Sequence, residues 1–249
     1  MAPSEPDAPT PFDVPLECRP RHIAMIMDGN GRWAQRRGLS RSEGHAEGIQ
    51  NIRRVLEECR NLGVEYVTLY CFSSENWKRP KEEIDFLFHS LEHYANEQAP
   101  KLAEQNVRML AVGRWRELPE RARDAIRRVV EISKRNTGMT VCWAVNYGAR
   151  AEIVDAVRRI GERLLRGELG LSQIDEAAVS DHLDTAGIPD PDLLIRTAGE
   201  MRVSNYLLWQ ISYAEIWVTS TLWPDFDAEH VRQAVRDYAS RSRRFGGLH

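Results

Sequence analysis

The chain has 249 residues, enough for one large α/β domain. Its 34 basic and 37 acidic side chains leave a formal charge of -3, which excludes a global field drawing it onto nucleic acid or anionic lipid, so any anion site must be local. No apolar run nears the roughly 18 residues of a membrane span and the N-terminus lacks a signal-peptide core, while Cys18, Cys59, Cys71 and Cys142 show no C-x-x-C or disulfide-framework spacing, so a soluble, reduced, cytoplasmic protein is expected.

Residues 1 to about 20 hold six of the twelve prolines among Ala, Ser, Asp and Glu, which predicts a disordered tail ahead of a single domain over 21–249. Apolar runs over 22–27, 64–72, 107–112, 139–145 and 193–195 read as strands. Helical patterns cover 44–62, 82–104, 117–135, 149–166, 171–183 and 228–241. Alternation of this kind predicts a mostly parallel sheet covered on both faces. In the second helix Ile84, Leu87, Phe88, Leu91 and Tyr94 recur at three- and four-residue steps, a stripe that suits core packing and equally the wall of a long apolar site.

The first strand stops at Asp28-Gly-Asn-Gly, placing a carboxylate and open backbone N–H groups at a strand tip, where open α/β sheets bind ligands. The motif reads either as an Asx-turn or as a site for Mg²⁺ and phosphate. Arg32, Arg41 and His45 add donors near a helix start. The second strand ends in Ser73-Ser74-Glu75-Asn76-Trp77-Lys-Arg79, in which a large aromatic in a loop, Trp77, needs something to pack on, and an apolar ligand near a phosphate would serve. After the fifth strand, Arg196, Arg202 and Ser204 surround a glycine as a second anion cradle. Glu215 interrupts an apolar run and must be paired or bind metal. Two anion cradles and a metal carboxylate at strand tips describe an enzyme joining two phosphorylated substrates.

These residues resemble the cis-prenyltransferase family, whose familiar bacterial member is undecaprenyl diphosphate synthase. The resemblance spans about residues 21–247. It rests on His22-Ile-Ala-Met-Ile-Met-Asp-Gly-Asn-Gly-Arg-Trp33, Gly44-His45, Tyr70-Cys-Phe-Ser-Ser-Glu-Asn-Trp-Lys-Arg-Pro80, Asn146-Tyr-Gly148, Leu194-Ile-Arg-Thr-Ala-Gly-Glu200, Ser204-Asn-Tyr-Leu-Leu-Trp-Gln210 and Leu222-Trp-Pro-Asp-Phe226. It implies a six-stranded, mostly parallel sheet flanked by helices around an apolar tunnel. It implies an Mg²⁺-dependent homodimer that condenses isopentenyl diphosphate with a farnesyl or geranyl diphosphate in Z geometry. The expected product is the polyprenyl lipid carrier of cell-wall glycans, with peripheral membrane contact for its release; a short-chain or branched terpene diphosphate of specialised metabolism, or a non-catalytic partner subunit, are the alternatives.

By the same resemblance Asp28 is the catalytic carboxylate and, with Glu215, a metal ligand. Gly29, Asn30, Gly31, Arg32, Trp33 and Arg41 bind the allylic diphosphate, assisted by His45. Ser73, Ser74, Glu75, Asn76, Trp77 and Arg79 orient the reacting ends, with Asn76 taking part in proton removal. Arg196, Arg202, Val203 and Ser204 bind isopentenyl diphosphate. Ala149 and Ala198 stand where relatives often carry glycine, and a Trp143 pointing into the tunnel would shorten the product. An Arg244-Phe-Gly246 tripeptide is expected to reach across the dimer.

Overall fold

The structure, a computed structural model, describes residues 12–241. Strands β1 (His22–Ile26), β2 (Tyr66–Ser73), β3 (Arg108–Val112), β4 (Thr140–Tyr147), β5 (Leu193–Arg196) and β6 (Glu215–Val218) form one sheet in the order β3-β4-β2-β1-β5-β6. Every neighbouring pair is parallel. Parallel neighbours need crossovers, and these are α1 (Asn30–Gln35), α2 (Arg41–Asn61), α3 (Lys81–Glu104), α4 (Glu120–Ser133), α5 (Ala149–Leu165) and α6 (Glu176–Ser180), with α7 (Ala228–Ala239) closing the chain described. None of the helices described is long and apolar enough to cross a membrane.

Both faces of the sheet are covered, so β1 and β4 are buried along their whole lengths instead of alternating with solvent. Period-two alternation instead divides two cores. Ile23, Met25, Leu69, Val141 and Trp143 face α2, α3, α4 and α7, while Ala24, Ile26, Cys142 and Leu194 face the side of α5 and Tyr206. This parity puts Trp143 on the same face as the α3 stripe.

Local chemistry sets the boundaries. Ser40 and Glu43 close a capping box on α2. Pro80 precedes α3, whose acidic first turn carries Glu82 and Glu83. The helix expected over 171–183 is instead a 3-10 turn at Leu171–Gln173 followed by the five residues of α6, because the Asp175 side chain accepts from the Ala178 N–H and starts a new helix there. α1 carries no apolar period in its six residues and is invisible to a periodicity search.

The tail also departs from expectation. Phe12 lies between the guanidiniums of Arg19 and Arg236, and Val14 is buried. Arg19 donates to the Val14 and Leu62 carbonyls, at 2.8 and 2.9 Å. Residues 12–20 are therefore docked on the domain and not a free tail, since one aromatic ring and one arginine anchor a proline-rich segment that composition alone would leave loose. Residues 1–11 and the Arg244-Phe-Gly246 tripeptide lie outside the described residues.

Candidate active site

Chain connections leave β1 toward β2 and β5 toward β6, in opposite directions across the sheet. The crevice between the tips of β1 and β5 is therefore the topological switch point, where such sheets bind ligands. Asp28 follows β1 and Arg196 ends β5, and the two meet there with Nη2 2.9 Å from the carboxylate. Thr197, wholly buried, accepts from the Asp28 N–H and donates to its carbonyl, which locks the turn carrying that carboxylate. Gly29 makes the turn possible: its φ of 108° is left-handed, and a Cβ there would meet Leu222 at 2.9 Å. Gly44 lets α1 lie directly on α2, where a Cβ would come within 2.2 Å of the Asn30 carbonyl oxygen.

The crevice opens into a cavity of about 580 Å³. Its mouth is polar and includes Asp28, Asn30, His45, Ser73, Glu75, Asn76, Arg79, Arg196, Ser204 and Asn205. Its floor is apolar, formed by Leu87, Phe88 and Leu91 of the α3 stripe and by Val145, and it ends at Tyr94 and Trp143, whose rings stand 5.8 Å apart. The stripe thus serves both as core and as ligand wall. Cys71 also lines the cavity. The Trp143 indole N–H is buried without a hydrogen-bond partner.

Arginines around the mouth are held by carboxylates. Arg196 donates from Nη1 to Ser204 Oγ at 2.7 Å and to the Arg202 carbonyl, while its Nε is buried and unpartnered. Arg32 lies 3.5 Å from Asp28 and 3.2 Å from Glu200, which also pairs with Arg202 at 2.6 Å. Across the mouth Glu83 takes Arg79 at 2.9 Å, Arg41 at 3.3 Å and His45 at 3.4 Å. Burial and the neighbouring Arg79 hold the His45 pKa below its usual value against the pull of Glu83, which favours the neutral ring. Burial pushes Glu75 up, but bonds from Ser73 and Asn205 outweigh it and leave the carboxyl below the usual range.

Ser73 and Asn76 close a capping box, in which the Asn76 side-chain oxygen accepts from the Ser73 N–H at 3.1 Å. Asn76 is thereby fixed at the mouth. Ser74 bonds Glu75 at 3.3 Å. Trp77 packs on Phe72 and Phe88 and donates to Asn146 Oδ1 at 2.8 Å, so protein and not ligand satisfies it. Gly31 sits against Arg41.

Three expected site residues are placed elsewhere. Trp33 points to Asp225 and under the Arg37 guanidinium, away from the cavity, because α1 turns that side of its single helical turn outward. Val203 is half-buried and packs against the core on the face of the sheet that carries Ala149 and Tyr206. Glu215 opens β6 beside Leu193, whereas Asp28 stands beyond the level of Arg196, so three strand steps of about 3.3 Å separate the two sheet edges. Within one chain Glu215 is paired with Arg241 at 2.7 Å and does not meet Asp28. Among the described residues no three His, Cys, Asp or Glu side chains cluster as a metal centre.

Glu83, Thr197, Glu200 and Asn205 hold the site together and were not singled out from the sequence as site residues. Thr197, Glu200 and Asn205 carry a signal, lying in the polar motifs around Arg196 and Ser204, whereas Glu83 lies in none.

Residues 26–246 match the family model described as "Putative undecaprenyl diphosphate synthase". An isoprenyl transferase of Heliobacterium mobile is 49% identical over 229 residues, 92% of this chain and 88% of that protein. One from Geobacillus kaustophilus is 45% identical over 98% of this chain and 95% of its own. Among solved structures, lavandulyl diphosphate synthase from Lavandula x intermedia, in complex with dimethylallyl diphosphate, aligns with a TM-score of 0.90 and 38% identity, covering 92% of this chain and 99% of that one. A "probable undecaprenyl diphosphate synthase" from Campylobacter jejuni aligns at 0.76 with 33% identity, over 91% and 98%.

Proposed function

This chain belongs to the undecaprenyl diphosphate synthase family of prenyltransferases, and from that premise we propose that it condenses isopentenyl diphosphate with an allylic diphosphate through the cavity between β1 and β5. The observation that carries this reading is one cavity with two arginine-bearing walls at its mouth and hydrocarbon at its floor. In the reaction the allylic C–O bond breaks with its electrons leaving on diphosphate, the alkene of isopentenyl diphosphate attacks the allylic carbon, and the C2 proton of the isopentenyl unit passes to the departed diphosphate as its C–H electrons form the new double bond.

Arg196 and Ser204, joined to each other at 2.7 Å, and the neighbouring Arg202 bind the diphosphate of isopentenyl diphosphate. His45, Arg41 and Arg79 receive the allylic diphosphate on the opposite wall, and the apolar floor takes its hydrocarbon chain. Donors fixed before substrate arrives stabilise charge on a departing diphosphate without reorganising, which is where most catalytic energy is gained. Asn76, fixed through its oxygen by the Ser73 N–H, keeps a second lone pair and both amide hydrogens for the substrate, which suits it to orient the reacting ends and take part in proton removal. The apolar side chains of the floor give water nothing to bond to and so keep it from the charge that develops on the allylic carbon.

One carboxylate facing a cavity that receives diphosphates suits Mg²⁺, which is held by one or two carboxylates plus substrate phosphates. Asp28 would hold it, and the ion would neutralise charge on the leaving diphosphate. Arg196 already balances that carboxylate, so exchange of partners on binding is built into the pair. We further infer a homodimer through β6, an edge strand that exposes Ile216 beside Tyr213, with Val154 and Val157 exposed on α5. Only a second copy packed on that edge would bring its Glu215 toward another Asp28. Four free cysteines support a reducing, cytoplasmic compartment, and a polyprenyl product too apolar for water would leave to a membrane surface.

The match to the family model described as an undecaprenyl diphosphate synthase supports a long polyprenyl diphosphate as the product, which we assign as the lipid carrier of cell-wall glycans. A second reading, a short-chain diphosphate, is favoured by Trp143 and Tyr94 at the end of a cavity sized for a drug-like ligand of about 300–1,000 Å³. The test is to incubate the purified protein with isopentenyl diphosphate, Mg²⁺ and geranyl or farnesyl diphosphate and to size the products. Many additions support the carrier, one or two support the short chain, and none removes the enzymatic reading.

A further inference from the structure

We propose that Glu83 is a positioning residue of the allylic diphosphate site, holding Arg41, His45 and Arg79 at the cavity mouth in the spacing that a diphosphate bridges. The inference rests on the reaction assigned above and extends it to a residue that does not itself line the cavity. His45 and Arg79 line the mouth, and Glu83 lies behind them.

The three groups come from separate places in the chain. Arg41 and His45 are one turn apart at the start of α2, whereas Arg79 precedes α3. Arg79 meets Glu83 locally, four residues ahead of it, but nothing local brings the α2 pair to Arg79; what all three share is the Glu83 carboxylate, in which Oε1 takes Arg79 at 2.9 Å and His45 at 3.4 Å and Oε2 takes Arg41 at 3.3 Å. The Glu83 side chain is only 10% exposed. A carboxylate so enclosed is costly unless it is well paired. Here burial pushes its pKa up, and Arg79 and Arg41 more than reverse that, so it stays ionised. As the third residue of α3 it also has the helix N-terminus in its favour.

The pairing leaves capacity to spare. A guanidinium has five N–H donors, and Glu83 takes Arg79 through Nη1 only. The Arg41 contact is long, and the His45 contact falls outside hydrogen-bond geometry, leaving Nε2 buried without a hydrogen-bond partner. A carboxylate that collects three groups while saturating none is an anchor; of the three, His45 and Arg79 line the cavity, and Arg41, with its side chain 65% exposed beside them, keeps N–H groups unused. Without it, two guanidiniums and an imidazole would be held close with no counter-charge. On the opposite wall Arg196 is set by Asp28, Ser204 and Arg202, with no contribution from Glu83.

The test compares Glu83→Gln and Glu83→Asp with the wild-type enzyme. Glu83→Gln is expected to raise KM for the allylic diphosphate at least tenfold and leave KM for isopentenyl diphosphate within twofold, with Glu83→Asp recovering part of the loss. Calorimetric binding of geranyl thiodiphosphate, an unreactive allylic analogue, should weaken by a similar factor. A merely structural role would move both KM values together or neither, and either result overturns the proposal, as does a fall in kcat alone. If Glu83→Gln lowers the melting temperature sharply, the ratio of the two KM values in Glu83→Asp decides. An inert wild-type chain overturns the assigned reaction instead, and analogue binding, which needs no turnover, still tests Glu83.

Discussion

The two edges of the sheet are built from similar residue types and are used in opposite ways. At the tips of β1, β2 and β5, charged groups face one another across a cavity with bonding capacity left over: Arg196 Nε, His45 Nε2 and the acceptor Asn30 Oδ1 are buried without hydrogen-bond partners. Asn146, Ala198, Ser204 and Asn205 all take left-handed φ angles there, a local strain that cooperative folding has to support. At the other edge the polar groups are matched. His22 is bonded through both ring nitrogens, to the Pro189 carbonyl at 2.6 Å and to Thr68 Oγ1 at 2.8 Å. Asp192 accepts the N–H groups of Arg21 and His22, and Glu215 is paired with Arg241. One edge keeps its bonding capacity for a ligand and the other spends it on the fold.

Substitutions at the two edges should therefore separate activity from stability. Asp28→Ala should lower kcat/KM by about 100- to 1,000-fold, on the order of 3–4 kcal/mol of transition-state stabilisation, while the melting temperature stays within a few degrees. Steady-state kinetics beside a thermal melt check this, and near-normal turnover would remove Asp28 from the mechanism.

His22 supplies the converse. Burial lowers its pKa from 6.5 to about 4, so the folded state keeps the ring neutral while the unfolded chain takes up a proton below pH 6.5. Its contribution is thus complete above pH 6.5, falls as pH drops toward 4 and levels off below, a loss of about 3 kcal/mol in all. Urea unfolding across that window should show a shallower pH dependence in His22→Gln than in the wild type; identical slopes would contradict the assignment.

Asp192→Ala leaves two backbone N–H groups without their carboxylate and should cost about 2 kcal/mol in urea unfolding with kcat unchanged. A drop in kcat would mean that the two edges are coupled. The smallest effect is expected at Ala198, whose φ of 71° is left-handed. Ala198→Gly relieves about 1–2 kcal/mol of steric cost and loses about 0.4–1 kcal/mol through the more flexible unfolded chain, so a net gain of up to about 1.6 kcal/mol should appear as a slightly higher melting temperature.

Much of this was legible without coordinates. Five of the six strands and five of the seven helices follow from apolar periodicity, and Asp28, Asn76, Arg79, Arg196 and Ser204 follow from polar residues placed where apolar runs stop. Those signals are local, since strand length, caps and tip chemistry are written in neighbouring residues. Short elements such as α1 and α6 are poorly marked because too few residues carry a period. The pairing of Glu215 with Arg241, and the outward Trp33, were hidden because each depends on a partner far away in the chain.

By itself, then, the amino-acid order determined an alternating α/β chain with anion-binding chemistry at its strand tips, because periodicity and turn residues act over a few positions. Only the tertiary structure decided which face Trp143 occupies, which edge Glu215 occupies, and that Glu83 gathers Arg41, His45 and Arg79. These are matters of strand order and of contacts across 38 and 42 residues of chain, where a carboxylate's partner is chosen by packing and not by its neighbours in sequence.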